Sequence, residues 1–130
     1  MRDEEPRMMP SSLVSVVDDD ESVRESLPDL LREFGFTARS FSSAEDFLAS
    51  EYVRVTNCLV LDVGMPGMSG PELQRELKRR GQNIPIVFIT ANRDEGVRPQ
   101  VMAQGAAACL FKPFSDTALL EALNMALRVN

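Results

Sequence analysis

Five short runs of residues with high β-strand propensity recur along this chain, and segments with helical spacing lie between them. The runs cover residues 13–17, 36–41, 58–61, 84–89 and 107–111. In the segments between them apolar residues recur three or four positions apart, as Leu27, Leu30 and Leu31 do after the first run. The first, third and fourth runs are almost entirely apolar, as strands covered on both faces must be. The pattern therefore predicts an α/β fold, a doubly wound five-stranded parallel sheet with helices on both faces.

Local signals mark where some of these helices begin and end. Ser43 precedes "AEDFL" as a predicted N-cap, with Asp46 in the position of the capping-box acid. Gly35 and Gly81 stand where helix C-caps are expected. Residues 1–12 mix charge, proline and serine without periodicity, which predicts a flexible tail ahead of one domain over residues 13–130.

The composition excludes several classes of function. The chain has 130 residues, no histidine and a net charge of −6, so histidine-based catalysis and histidine–metal sites are excluded. Direct binding of nucleic acid is not expected, because contact with the phosphate backbone needs a basic surface. The charged N-terminal residues do not resemble a signal peptide and no apolar run is long enough for a membrane span, which predicts a cytoplasmic protein without membrane contact. Cys58 and Cys109 lie among apolar residues and are expected to be buried, reduced and unbridged.

Polar residues end or follow four of the five predicted strands. The residues at these strand ends are Asp18, Asp19 and Asp20 at the first strand, Asp62 at the third, Thr90, Ala91 and Asn92 at the fourth, and Lys112 and Pro113 at the fifth. Ligands of open α/β sheets bind beyond the carboxyl ends of the strands, where the strand order reverses. We therefore expect these residues to form one site.

Carboxylates, a hydroxyl and an ammonium group suit a metal-assisted reaction of phosphate. Two carboxylates about 4 Å apart repel by roughly 4 kcal/mol at an effective dielectric constant of about 20, so a bound cation is the expected compensation. Several carboxylates without histidine or paired cysteine favour Mg²⁺, with Mn²⁺ as the other candidate. Asp62 stands alone between an apolar strand and the loop "VGMPGMSG". A lone carboxylate that faces a metal and a lysine is arranged as a nucleophile toward phosphorus.

Four motifs together resemble the response-regulator receiver domains of two-component signalling, over about residues 12–128. They are "VVDDDESVRESL", "LVLDVGMPGMSGPEL", "PIVFITA" and "GAAACLFKPF", and their combination and order make the resemblance specific. The stretches "SFSSAEDFLAS" and "DVGMPGMSG" are most similar to the FixJ-like variety. The resemblance implies a flavodoxin-like (βα)5 fold with strand order 2-1-3-4-5. It also implies a phosphorelay partner, either a histidine kinase or a histidine phosphotransfer protein.

The same resemblance implies how the acidic residues share the metal. Asp62 would be the phosphoacceptor and would also ligate Mg²⁺. Asp19 would bind the metal directly, with Asp18 beside it, and the backbone carbonyl of Gly64 would be a further ligand. Asp20 is expected to begin the first helix together with the glutamate that follows it, where acids favour the helix dipole.

The other strand ends would hold the phosphoryl group. Thr90, the backbone N–H of Ala91 and Lys112 would bind its oxygens, and Pro113 would follow a cis peptide bond. In the family the threonine that corresponds to Thr90 acts as a switch together with an aromatic residue three positions before the lysine. Here that position is Cys109, so we expect a switch that is weak or differently built.

Two prolines and a glycine are further departures. Pro99 predicts a late-starting or irregular fourth helix, and Pro28 predicts a kink in the first helix. The fourth helix is the usual signalling face of the family, and with the fifth strand it is the candidate homodimer surface. Gly64 replaces a longer side chain often found two residues after the acceptor, so the lifetime of the phosphoryl group stays open.

Two alternative functions remain open on the sequence. A pseudo-receiver, which would bind partners without being switched by phosphate, is favoured by Cys109 and Pro99 and opposed by the intact acids and lysine. An aspartate-nucleophile phosphohydrolase is suggested by the D-x-D within residues 18–20, but Ser22 replaces the usual threonine or valine and 130 residues leave no room for a substrate cap. The chain is either a stand-alone regulator or a receiver from a longer protein with a DNA-binding domain, and the FixJ-like resemblance favours the second.

Overall fold

The computed structural model describes residues 12–91 and 96–128, which form a parallel sheet flanked by helices. The elements are β1 (Leu13–Val17), α1 (Glu21–Glu33), β2 (Thr37–Phe41), α2 (Ala44–Ala49), a 3₁₀ helix (Glu51–Arg54), β3 (Cys58–Asp62), α3 (Gly70–Arg79), β4 (Ile86–Thr90), α4 (Val97–Ala103), β5 (Ala108–Phe111) and α5 (Asp116–Arg128). All neighbouring strands are parallel, in the order β2-β1-β3-β4-β5. The predicted fold class and the implied strand order are confirmed.

The strand boundaries differ from the predicted ones by one or two residues. β3 and β4 run one residue further than predicted, so Asp62 and Thr90 are the last residues of their strands. β2 and β5 each begin one residue later than predicted. β4 begins at Ile86 because Pro85 before it has no N–H to donate to a ladder. The carbonyl of Pro85 still accepts a hydrogen bond from the Leu59 N–H at 2.9 Å.

Strand side chains alternate between two apolar cores, one on each face of the sheet. Val14 and Val16 pack with residues of α1 and α5, whereas Leu59 and Leu61 pack with residues of α2, α3 and α4. Every residue of β1, β3 and β4 is buried. The three central strands are therefore covered on both faces as predicted, and their carboxyl ends form one edge of a well-packed sheet.

The predicted helix ends are largely confirmed. Asp20 is the N-cap of α1. Ser43 is the N-cap of α2 and its hydroxyl accepts a hydrogen bond from the Asp46 N–H at 3.0 Å. The Asp46 carboxylate accepts from the Ser42 hydroxyl and not from the Ser43 N–H, so the predicted capping box is only half formed. Gly35 and Gly81 follow the ends of α1 and α3 with positive φ angles of 98° and 76°, which glycine adopts without steric cost.

The two prolines occupy different parts of their helices. α4 begins at Val97 and has seven residues, and Pro99 lies in its first turn, where a backbone N–H has no intrahelical partner to lose. This confirms the late start of the fourth helix. Pro28 lies inside α1, which continues across it to Glu33; the kink at this position stays a prediction.

The remaining sequence predictions concern the N-terminal tail, Asn92, the two cysteines and membrane-spanning helices. The predicted tail falls outside them except for residue 12, and so does Asn92. Cys58 and Cys109 are free and buried, as expected, and the structure places them in the cores on opposite faces of the sheet. Over residues 12–91 and 96–128 no helix combines the length and apolar character that a membrane crossing requires.

Candidate functional site

The carboxyl ends of four strands bring the predicted site residues to one edge of the sheet. Asp18 directly follows β1 and extends it, since its N–H donates to the Phe41 carbonyl at 3.2 Å. Asp62 ends β3 and Thr90 ends β4. Lys112 follows β5, and its N–H donates to the Thr90 carbonyl at 2.8 Å. Backbone hydrogen bonds of the sheet therefore fix where these side chains start.

Three carboxylates meet at this edge. One oxygen from each of Asp18, Asp19 and Asp62 lies within 4.8 Å of the other two. Asp18 is fully buried, Asp62 is 6% exposed, and Asp19 is exposed. An oxygen-only donor set that is open on one side is the kind that Mg²⁺ accepts while it keeps waters and phosphate oxygens as further ligands. The three acids thus fit a divalent cation.

Lys112 partly neutralises the cluster from its buried side. Its Nζ donates to Asp18 Oδ2 at 3.0 Å and lies 3.8 Å from Asp62 Oδ1. Burial lowers the pKa of Lys112, but the hydrogen bond to Asp18 and the charges of Asp62 and Asp18 outweigh it, so the pKa is raised above its usual value. The ammonium group therefore stays charged and holds two carboxylates at once.

The surroundings of Asp62 disfavour the ionised form of its carboxylate. Burial, together with the negative charges of Asp18 and Asp19, raises the pKa of Asp62 from 3.8 to about 7, although Lys112 acts in the opposite direction. Removing this carboxylate from water disfavours its charged form, and like charges add to that cost. A cation at the cluster would favour the ionised form of Asp62, which is the form that can act as a nucleophile.

The two aspartates after β1 have different surroundings. Asp18 Oδ1 accepts a hydrogen bond from the Asp20 N–H at 2.9 Å, and the Asp18 carbonyl accepts one from Arg24 Nη1 at 3.0 Å. Asp18 is therefore held by α1 and by Lys112. Asp19 faces solvent beside it, which fits the direct ligand role that the resemblance implies.

The loop between Asp62 and α3 is held at both ends. The Val63 N–H donates to the Ile89 carbonyl and the Gly70 N–H donates to the Val63 carbonyl, both at 3.0 Å. On the other side Glu45 Oε2 accepts from the Met68 N–H at 3.0 Å. Gly64, whose carbonyl is the predicted metal ligand, lies exposed within this fixed loop.

Gly70 is a site-supporting residue that the sequence analysis missed. It is the first residue of α3, and a β-carbon there would contact the Asp62 carbonyl oxygen and lie 3.1 Å from the Phe88 ring. Only glycine lets the start of α3 approach the strand that carries the acceptor so closely. The available signal was a glycine directly after Ser69, which caps α3 in a capping box with Glu72.

The phosphoryl side of the site combines buried and exposed groups. Thr90 is 2% exposed, whereas Ala91 after it is exposed. The Lys112–Pro113 peptide bond is cis. Cys109 is buried in the core with α2, α3 and α4, and burial raises the pKa of its thiol despite the opposing charge of Arg98. The position of the family's aromatic residue is therefore filled by a neutral core thiol.

Comparisons with known proteins identify the family. The family model described as "Response regulator receiver domain" matches residues 14–124. Nodulation protein W of Bradyrhizobium diazoefficiens is 46% identical over 112 residues, which is 86% of this chain and 49% of that protein. The chain spans about half the length of the curated relatives it matches, with 49%, 53% and 57% of three of them covered.

Solved structures agree with this result. The response regulator StyR superposes with a TM-score of 0.85 at 48% identity, over 92% of this chain and 61% of that one. FixJ-N superposes with a TM-score of 0.83 at 39% identity, over 92% of this chain and 96% of that one. Nothing in these comparisons favours the pseudo-receiver alternative. The chain belongs to the family of response-regulator receiver domains, which are signalling domains.

Proposed function

We propose that Asp62 accepts a phosphoryl group from a phosphohistidine of a histidine kinase or a histidine phosphotransfer protein. In this step an Asp62 carboxylate oxygen forms a bond to phosphorus while the phosphorus–nitrogen bond of the donor breaks. The electron pair of that bond stays on the donor imidazole, and the product is an aspartyl phosphate. The observation that carries the proposal is a buried carboxylate that lies within 4.8 Å of two other carboxylates and 3.8 Å from the Lys112 ammonium group.

The metal that suits this step is Mg²⁺, with Mn²⁺ as a substitute. Asp18, Asp19 and Asp62 would hold it, because their carboxylates offer hard oxygen ligands within 4.8 Å of one another. The backbone carbonyl of Gly64, two residues after Asp62, would add a further oxygen ligand. When bound, the cation offsets the repulsion among the carboxylates and the charge on the phosphoryl oxygens. Asp18 contributes mainly by holding Lys112, and Asp19 by offering an exposed carboxylate.

The chain's own groups would bind the transferred phosphoryl group. Lys112 would pair with one oxygen, and the Thr90 hydroxyl and the Ala91 N–H would donate to others. The new group adds about −1.5 to −2 charges at pH 7, which would rearrange the ion pairs of the cluster and shift a two-state equilibrium of the domain. With Cys109 buried in the core, we infer that the shift does not depend on an aromatic side chain at that position.

Residues 13–130 are proposed to act as one receiver domain in the cytoplasm. We expect phosphorylation by small phosphodonors such as acetyl phosphate without turnover of an external substrate. Homodimerisation through the face of α4 and β5 stays a prediction, as does the lack of direct nucleic-acid binding by this chain. Several relatives are named as transcriptional regulators, and we propose that the whole protein of this chain likewise regulates transcription.

The decisive experiment measures intact mass after incubation with acetyl phosphate, with and without Mg²⁺. Wild type should gain one phosphoryl group only in the presence of Mg²⁺, and Asp62→Asn should gain none. Asp29→Asn serves as the matched control, because Asp29 is an exposed aspartate on α1, and it should be modified like wild type. If wild type gains no mass while another receiver domain is modified in parallel, phosphoryl transfer to Asp62 is wrong.

A further inference from the structure

The carboxylate of Glu45 links α2 to the loop that follows Asp62. Glu45 is an exposed residue in the first turn of α2. Its Oε2 accepts a hydrogen bond from the Met68 N–H at 3.0 Å. Met68 belongs to the segment between β3 and α3, which lies in neither element. The contact therefore ties this loop to α2 just before α3 begins.

The residue before Met68 leaves room for the same carboxylate. Gly67 has a φ angle of 72°, which glycine adopts without steric cost. A β-carbon at this position would lie 2.8 Å from Glu45 Oε2. The missing side chain of Gly67 and the N–H of Met68 thus accommodate one and the same oxygen atom. The backbone of the loop is shaped around the Glu45 carboxylate.

The helix that carries Glu45 is itself firmly placed. Ala44 and Phe47 lie on α2 close to Glu45 and are fully buried. Both belong to the same apolar core as Met65 of the loop. Because α2 and the loop share this core, the Glu45 side chain starts from a fixed backbone. Its hydrogen bond can therefore hold the loop in one position.

The loop also carries Gly64, whose carbonyl is proposed as a ligand of the cation. Gly64 is exposed, and nothing would lie within 4 Å of a β-carbon there. Its position therefore depends on the residues that flank it. On one side the Val63 N–H is held by a backbone hydrogen bond to β4. On the other side Met65 packs in the core and Glu45 holds the end of the loop.

We propose that Glu45 is a positioning residue that holds the loop after β3 in the form that binds the divalent cation. The inference rests on the proposed function, because the loop matters for binding only if the Asp62 site takes up Mg²⁺. Glu45 acts through the Met68 N–H and is not itself a metal ligand. Since this hydrogen bond needs an acceptor and not a negative charge, glutamine should be able to replace glutamate at this position.

Three variants separate the hydrogen bond from the charge of the side chain. Glu45→Met removes the acceptor and keeps an unbranched side chain with good helix propensity, whereas Glu45→Gln keeps an acceptor. Glu51→Met is the matched control, because Glu51 is an exposed glutamate in the first turn of the 3₁₀ helix.

Hydrogen exchange of the Met68 amide, measured without metal, tests the contact itself. It should be about three- to tenfold faster in Glu45→Met than in wild type, as expected for the loss of one hydrogen bond. Glu45→Gln and Glu51→Met should exchange this amide at close to the wild-type rate. Equal exchange in wild type and Glu45→Met would overturn the proposal.

Titration of Mg²⁺ into ¹⁵N-labelled protein then measures the effect on the site. Glu45→Met should bind Mg²⁺ about three- to tenfold more weakly than wild type, because binding must then also order the loop. Glu45→Gln and Glu51→Met should bind it about as tightly as wild type.

The outcomes distinguish this inference from the proposed function. If wild type binds Mg²⁺ and Glu45→Met binds it equally tightly, the positioning role is wrong and the proposed function stands. A loss of affinity in Glu45→Gln or in Glu51→Met as large as that in Glu45→Met would trace the effect to charge and would also overturn the positioning role. Wild type that binds no Mg²⁺ would refute the proposed metal site and this inference with it.

Discussion

Removing the charge of Asp62 should stabilise this domain when no metal is bound. The carboxylates of Asp18, Asp19 and Asp62 lie within 4.8 Å of one another, and each pair at that distance repels by about 3.5 kcal/mol at an effective dielectric constant of about 20. The Lys112 ammonium group at 3.8 Å from Asp62 contributes about 4.4 kcal/mol of attraction on the same scale. The two repulsions felt by Asp62 therefore exceed its attraction to Lys112 by about 2.5 kcal/mol. We expect Asp62→Asn to raise the free energy of unfolding by about 2–3 kcal/mol at about pH 8 in EDTA.

The pH dependence gives a second estimate and fixes the sign. Burial and the neighbouring acids raise the pKa of Asp62 to about 7 in the folded protein, from 3.8. The native state of wild type therefore holds a proton that the unfolded state has lost, and its stability falls as pH rises from about 4 to about 7. About three pKa units correspond to roughly 4 kcal/mol as an upper limit. The asparagine side chain of the variant does not titrate, so the advantage of Asp62→Asn should be full at about pH 8 and less than half as large at about pH 4.5.

Urea unfolding of wild type and Asp62→Asn at both pH values measures this difference. Asp29→Asn removes an exposed carboxylate paired with Arg32 and should change stability by less than about 1 kcal/mol at either pH. Added Mg²⁺ should stabilise wild type more than Asp62→Asn, because the variant lacks one of the three carboxylates. An Asp62→Asn protein that is no more stable than wild type at pH 8 in EDTA would refute the electrostatic reasoning.

Four further substitutions, one of them a control, test how the site is supported, each by urea unfolding in EDTA at about pH 8. Gly70→Ala should lower the free energy of unfolding by about 2 kcal/mol or more, because the new methyl group meets the backbone of β3. Gly64→Ala is the control: nothing lies within 4 Å of a β-carbon there, so it should lower the free energy of unfolding by less than about 1 kcal/mol. Equal losses in the two variants would contradict the close approach of α3 to β3. Lys112→Met should cost about 3 kcal/mol because it leaves the fully buried Asp18 carboxylate without its cation, and an unchanged midpoint would show that this ion pair does not stabilise the fold. Ser69→Ala should cost about 1 kcal/mol by removing the capping box of α3, and no loss would mean that the cap is replaced by solvent.

The fold could be predicted from the sequence because its determinants are local. Apolar runs of four to six residues, helical spacing between them and glycines after helices identify the elements without knowledge of their contacts. The order of the strands came from the resemblance and not from these patterns. The boundary errors also have local causes, such as Pro85, which accepts a hydrogen bond from β3 but cannot donate one.

The site could be predicted as a set of residues but not as an arrangement. The sequence placed Asp18, Asp19 and Asp62 together, yet three successive aspartates do not reveal which one is buried. Asp18 is buried because its N–H continues the ladder to β2 and its carboxylate meets Lys112, which lies 94 residues later in the chain. Gly70 was missed because the need for glycine there comes from contacts with β3 and β4, which the sequence around Gly70 does not reveal.

The position of Lys112 suggests how phosphorylation of Asp62 would change the ion pairs inside the domain. In the unmodified protein its ammonium group is closer to Asp18, at 3.0 Å, than to Asp62, at 3.8 Å. If Asp62 carries a phosphoryl group, the added negative charge favours Lys112 moving toward it. The buried Asp18 carboxylate would then depend more on the Asp20 N–H and on the bound cation for compensation. The cation and the phosphoryl group should therefore stabilise each other, and the phosphorylated domain should bind Mg²⁺ more tightly than the unmodified one.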